Sequence, residues 1–187
     1  MKKNFFITTL LVLLFASCES NELAINPKNE TAADFLELYN QDADYIRKAL
    51  AKYTLDEEGI DEDGNNYWTI RQSKSNICIT CDGYDVFVSL TMKNNKCVEA
   101  SLLYRNTDRC GLALNGIKER FGEGKKIDFD SSYQWYEWFL PDNSRISYFG
   151  HRTLTSESLL IYREKDDSSN APAKKLQRAK KIVGVEE

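Results

Sequence analysis

The chain has 187 residues, with 25 Lys and Arg against 29 Asp and Glu, a single His, five Cys and three Pro. That length suits one domain or two small halves sharing a sheet, and aromatic residues at 12% supply a core and exclude wholesale disorder. A net charge of −4 argues against nucleic acid as the main partner, because phosphate binding needs a basic face; one imidazole excludes a His-rich metal site, and nothing in the composition implies a cofactor.

The chain opens on a targeting pattern. Lys2 and Lys3 precede an apolar run over residues 5–16, broken only by Thr8 and Thr9, which ends in the small residues Ala16 and Ser17. A positive start, a short apolar run and a small-residue cleavage site form an export signal. The run falls short of the ~20 residues that span a bilayer. The stretch Leu14-Phe15-Ala16-Ser17-Cys18 resembles the lipobox of bacterial lipoproteins, with Phe15 where Leu is commonest. The resemblance implies that residues 1–17 are removed as a signal peptide and that Cys18 carries diacylglycerol and an N-acyl chain of the palmitate type. It makes the lipid bilayer the first partner of the mature chain. The alternative is an ordinary signal peptide with Cys18 incidental. Glu19 replaces the Asp that retains some lipoproteins at the inner membrane, which points to the outer membrane of a cell envelope. Residues 18–30 then form the lipidated Cys and a polar, aperiodic tether.

Helical spacing begins near Thr31, where Phe35, Leu38 and Tyr39, then Ile46, Leu50 and Tyr53, recur every three or four residues. Asp42 or Asp44 is positioned to cap a second helix. The acidic, Gly-containing stretch 56–66 reads as a loop. From Tyr67 the period becomes two, with strands expected over 67–72, 76–81, 84–92 and 96–104 and tight turns at Asp82-Gly83 and Lys93-Asn94-Asn95. Tyr84, Val86, Val88, Leu90 and Met92 share a buried face with Val98, Ala100, Leu102 and Tyr104, and with Ile77, Ile79 and Cys81, while Ser89 and Thr91 point the other way. Thr107 or Asp108 caps a helix through Cys110, Leu114, Ile117 and Phe121 that stops at Gly122. Strands over 126–130, 133–140, 145–150 and 158–163 follow, two of them joined at Pro141-Asp142-Asn143.

The order helix, four strands, helix, four strands predicts an α+β fold: an antiparallel sheet built from two helix-plus-four-strand units (31–105 and 106–163), with helices packed on one face. In outline this resembles the tandem helix-plus-sheet layout of β-lactamase inhibitor proteins and some small outer-membrane assembly lipoproteins. Residues 164–187 form a polar tail; Lys174, Lys175, Arg178, Lys180 and Lys181 make it basic, with Leu176, Ala179 and Val183 at helical spacing. It reads either as a solvated tail or as a small amphipathic helix for anionic lipid or an acidic partner.

With Cys18 lipidated, four Cys remain, an even number that suggests two disulfides in an exported protein. Face parity favours Cys81 with Cys110, stapling helix to sheet, and leaves Cys78 with Cys97. Cys78-Ile79-Thr80-Cys81 has redox spacing but lies in a strand, without the helix N-terminus that stabilises a thiolate. A four-Cys zinc site lacks its second close pair.

Other chemistry is sparse. His151 has no nucleophile elbow near it. Asp61, Asp63 and Asn65 open like a calcium loop, yet Asn66 and Gln72 stand where that loop needs Gly and Glu. Asp128, Asp130 and Glu137 offer paired acids of the kind that hydrolyse sugars. The aromatic strand carries more signal: Tyr133, Trp135 and Phe139 occupy one face, Tyr136 and Trp138 the other, with Tyr148 on the next strand. One helix layer covers one face, so Tyr133, Trp135, Tyr136, Trp138 and Tyr148 are candidates for an exposed binding patch; the alternative is that the first half of the chain, the C-terminal tail or the sheet's own curvature covers the second face. The sequence thus predicts a membrane-anchored envelope lipoprotein with a non-enzymatic protein-binding role, in an envelope complex or as an inhibitor. The alternative is a carbohydrate-active or other hydrolase accessory using the acids beside the aromatics.

Overall fold

The computed structural model describes residues 30–61, 63–107, 111–127, 133–152 and 157–166. Cys18, Asp108, Cys110, Asp128, Asp130 and the basic tail lie outside them. Two short helices, α1 (Ala32–Leu36) and α2 (Ala43–Ala49), lead into strands β1 (Thr54–Ile60), β2 (Asn66–Arg71), β3 (Ile79–Cys81), β4 (Tyr84–Lys93) and β5 (Lys96–Thr107). Helix α3 (Gly111–Phe121) follows, then β6 (Lys125–Ile127), β7 (Tyr133–Phe139), β8 (Ser144–Arg152) and β9 (Glu157–Lys165). All nine strands join one antiparallel sheet in the order β1-β2-β4-β5-β9-β8-β7-β6, with β3 also paired to β4.

This overturns the expectation of an α+β fold in two helix-plus-four-strand units. Of the described residues, 53% are in strands and 19% in helices. The halves merge because β5 pairs along most of its length with β9, from Glu99↔Glu164 to Thr107↔Glu157. The stretch expected as a loop is largely strand β1, paired with β2 from Thr54↔Arg71 to Ile60↔Asn66. Its acids do not prevent pairing because it is an edge strand, where Asp56, Glu57 and Glu58 discourage further pairing. Its register slips between Asp56 and Gly59. A Cβ on Gly59 would come within 2.7 Å of the Tyr67 carbonyl, so this bulge needs glycine.

The expected turns fit their residues. Asp82 and Gly83 (φ 51 and 82) and Asn94 and Asn95 (φ 50 and 64) form two-residue hairpin turns with positive φ at both centres, where Gly and Asn are tolerated best. Helix α2 starts where Asp42 accepts from the Tyr45 N–H at 2.8 Å. Helix α3 ends at Gly122 with φ 82.

One sheet face holds the main core. Val86, Val88, Leu90 and Met92 of β4, with Ala100, Leu102 and Tyr104 of β5, are buried with Phe35, Leu36, Ile46, Leu50 and Ile117 of the helical segments. The register slips between Thr91 and Met92, so that Met92 opposes Cys97 instead of Val98. Cys97 is therefore 1% exposed in the main core, not on the opposite face. Ile77, also expected inside, is 50% exposed because β3 begins only at Ile79. Arg163 also lies on the helix side; its guanidinium bonds the Leu36 carbonyl, Ser144 and Asp142, and lies over Tyr39.

At the sheet's lower end the chain is clamped twice. The Asp82 N–H donates to the Glu30 carbonyl at 3.0 Å, and Asp82 Oδ2 accepts from the Ala32 N–H at 3.0 Å. The Glu30 side chain is buried against Lys52. Burial, with Asp34 nearby, pushes its carboxyl from 4.5 up to about 7, while burial pushes the Lys52 ammonium down. A carboxyl that holds its proton more tightly folded than unfolded contributes stability that is fully present below pH 4.5 and lost as pH rises through about 7. Urea unfolding should therefore show a fall on the order of 1–2 kcal/mol across that window, and a flatter profile in Glu30→Gln. Equal pH slopes in the two proteins would contradict this assignment.

Candidate functional site

The sheet's second face carries three transverse rows of side chains, set by the strand registers. An apolar row runs Phe87, Leu103, Leu160, Phe149, Trp135, Ile127. A polar row beside it runs Ser89, Ser101, Tyr162, Ser147, Glu137, Lys125 from the same pairings. A third row joins Tyr67 and Thr91 to Glu99, Glu164, Arg145 and Phe139. Among the described residues no helix contributes to the cluster on this face, which comprises Trp135, Phe149, Leu160 and Tyr162 with Ile127 and Tyr133.

The aromatic patch expected from Tyr133, Trp135, Tyr136, Trp138 and Tyr148 is not exposed. Trp135 is 6% exposed in this second cluster; Trp138 and Tyr148, at 3% and 0%, lie in the main core, where Tyr136 is half-buried against them. Tyr133, also half-buried, stacks 4.8 Å from His151 and 5.3 Å from Phe149. Both faces of the sheet carry a core, so both faces of the aromatic strand are covered. Phe139 alone of that strand's rings stands out, at 57%.

What the second face offers instead is a groove of about 190 Å3 over β2, β4, β5 and β9. Hydroxyls of Tyr67, Ser89, Thr91, Ser101 and Tyr162 line it, with Asp61 and Glu99 at one end and Phe87, Leu103 and Leu160 at the other. Ser89 and Ser101 share a hydrogen bond of 2.8 Å across the β4–β5 pair. Of the groove residues, the sequence marked Ser89 and Thr91 as pointing away from the core face and Asp61 as part of a calcium-loop opening. Further along the same face, Arg145 is buried among Glu164 at 3.0 Å, Asp166 at 3.7 Å and Glu137 at 3.8 Å. Burial raises the Glu137 carboxyl above its ordinary value, opposed by Arg145. Glu137 is thus part of a buried charge cluster, and its expected neighbours Asp128 and Asp130 lie outside the described residues.

The remaining sequence candidates resolve as structure. Asp61 accepts from the N–H groups of Asp63 and Asn65 and from Asn65 Nδ2, closing its own turn rather than facing an ion. Cys81 is a free thiol among the described residues, 3.3 Å from the Tyr104 hydroxyl, and its expected bridge partner Cys110 lies outside them. Burial, then the Asp82 carboxylate, raises its pKa well above the ordinary range, which opposes redox or nucleophilic use. Cys97 is also a free thiol, turned into the core by the bulge, so the Cys78–Cys97 bridge is not formed. Its Sγ donates to the Glu99 carbonyl, and burial pushes it up to about 12. No described helix is long and apolar enough to cross a membrane. No family model, no curated protein and no solved structure matches this chain.

Proposed function

We propose that the chain is a membrane-anchored cell-envelope lipoprotein without catalytic activity, tethered through acylated Cys18, that uses the groove on its second sheet face to receive side chains of a protein partner. The size of the groove carries this reading. At about 190 Å3 it is smaller than the roughly 300–1,000 Å3 of sites that enclose a drug-sized ligand, yet it admits one or two large side chains. Its lining combines an apolar end with hydroxyls that accept and donate, as protein interfaces do. Its two acids do not form a catalytic pair, since Asp61 is engaged in its own turn. The anchor rests on the lipobox resemblance, and several acyl chains at ~0.8 kcal/mol per buried CH₂ would hold the protein at a bilayer, for which the outer membrane is the proposed place.

Two variants test the halves of this reading separately. Cys18→Ser should abolish labelling by a clickable palmitate analogue and release the protein from membranes; continued labelling would overturn the anchor. Ser101→Arg, which fills the groove from its floor, should weaken retention of an envelope partner on the purified protein by at least about ten-fold while leaving the unfolding midpoint within about 1 kcal/mol of wild type. Undiminished retention would remove the groove from the interface. Cleavage of an envelope glycan that Glu99→Gln abolishes would favour the hydrolase alternative.

A further inference from the structure

The groove over β2, β4, β5 and β9 changes polarity along the direction of its strands. Phe87, Leu103 and Leu160 form its apolar side, the first two half-buried and the third 3% exposed. Ser89 and Ser101, each two residues along its own strand, form the next row, and Thr91 lies one row beyond. A step of two strand residues is ~7 Å, comparable to the length of a phenol ring with its hydroxyl.

Volume and hydrogen-bonding capacity narrow the choice of occupant. An apolar cavity of about 150 Å3 takes one benzene molecule, so a groove of about 190 Å3 has room for a single six-membered ring with a short substituent at each end. Each serine hydroxyl carries one donor and two lone pairs. The 2.8 Å bond between Ser89 and Ser101 uses one donor and one lone pair, whichever of the two donates, and leaves one O–H and three lone pairs at the groove floor. Hydrocarbon laid over this pair would expel water and leave the O–H without an acceptor, a cost avoided by a group that both donates and accepts. A phenol hydroxyl does both, whereas an indole N–H or an ammonium only donates. A basic side chain would have to meet the acids at the groove's end, but Asp61 closes its own turn and Glu99 has interactions of its own.

We propose that the side chain received by the groove is a tyrosine of the partner, with its ring against Phe87, Leu103 and Leu160 and its hydroxyl on the Ser89–Ser101 pair. This names the occupant of the interface proposed above and rests on that reading. Tyrosine brings a large, rigid, amphipathic area to an interface at little cost in conformational freedom.

The test uses the full chain carrying Cys18→Ser, titrated with side-chain analogues and followed through the amide signals of Ser101 and Leu103. With p-cresol these signals should show a saturable shift, with a dissociation constant on the order of 1–10 mM. Toluene should bind about five-fold more weakly. In Ser89→Ala/Ser101→Ala, p-cresol should lose its advantage while toluene binds at least as well, which shows that the groove is still formed. The proposal is overturned by the lack of a saturable p-cresol shift, by equal affinity for p-cresol and toluene in the parent, or by an advantage that survives the double substitution. Tighter binding of n-butylammonium or 3-methylindole at the same amides would overturn it too and give the groove a different occupant. Failure of p-cresol with partner retention still sensitive to Ser101→Arg would reject the tyrosine and keep the groove. Retention indifferent to Ser101→Arg would reject the groove as the interface, and the tyrosine with it.

Discussion

Replacing Trp138 with Ala is expected to destabilise the protein by about 3–5 kcal/mol, read as a fall in the urea midpoint at constant slope. The indole is 3% exposed and its Nε1–H donates to the Gly122 carbonyl at 2.7 Å. It therefore ties the C-terminal stop of α3 to strand β7 and links helix layer to sheet. Gly124 lies so close beneath the ring that an added Cβ would sit 2.5 Å from the indole. Gly124→Ala should thus lose stability through the same contact, by about 1–3 kcal/mol. Trp138→Phe keeps part of the apolar burial and gives up the hydrogen bond, so it should fall between wild type and Ala. A loss below about 1 kcal/mol in Trp138→Ala would mean that α3 is not held by this ring.

Asp82→Ala is the second large effect, expected to cost about 3–4 kcal/mol. Asp82 Oδ2 accepts from the Tyr104 hydroxyl at 2.8 Å, the Ala32 N–H at 3.0 Å and the Cys81 thiol at 3.6 Å. Tyr104 is 1% exposed and Cys81 0%, so truncation leaves buried donors without their acceptor. Residue 82 also has φ 51, where alanine is strained and asparagine is not. Asp82→Asn retains a side-chain oxygen and the turn, and should lose less than half as much. Equal losses for Ala and Asn, measured by urea unfolding, would show that the negative charge rather than the oxygen acceptor matters.

Local features of this fold were legible in the sequence because they depend on neighbouring residues. The Asp82-Gly83 and Asn94-Asn95 turns, the Asp42 cap and the Gly122 stop each follow from conformational preferences within a few residues. The core face of β4 followed from strict alternation. Features that depend on distant pairing were not legible. Strand β1 looks like a loop because Asp56, Glu57, Glu58 and Gly59 suit an exposed edge; only its partner β2 makes it a strand. The β5–β9 pairing that fuses the two halves leaves no local signal, and neither does the bulge that turns Cys97 inward.

The same limit explains the misplaced site. Trp135 and Trp138 on opposite faces of one strand implied an exposed ring only if a single core existed. The second cluster, built from Phe149, Leu160 and Tyr162 on other strands, supplies the other core. The hydroxyls of the groove come from Ser, Thr and Tyr side chains on four strands, and such residues become a site only when the register aligns them. The targeting segment is the opposite case, a linear pattern read without any fold.

In the proposed function, the second sheet face rather than the helical layer meets the partner. A photo-crosslinking amino acid placed at Phe87, in the groove, or at Leu112, 49% exposed on α3, tests it in intact cells. A discrete envelope-protein adduct is expected from position 87 that Ser101→Arg removes, and none from position 112. An adduct from position 112 with none from position 87 would contradict it.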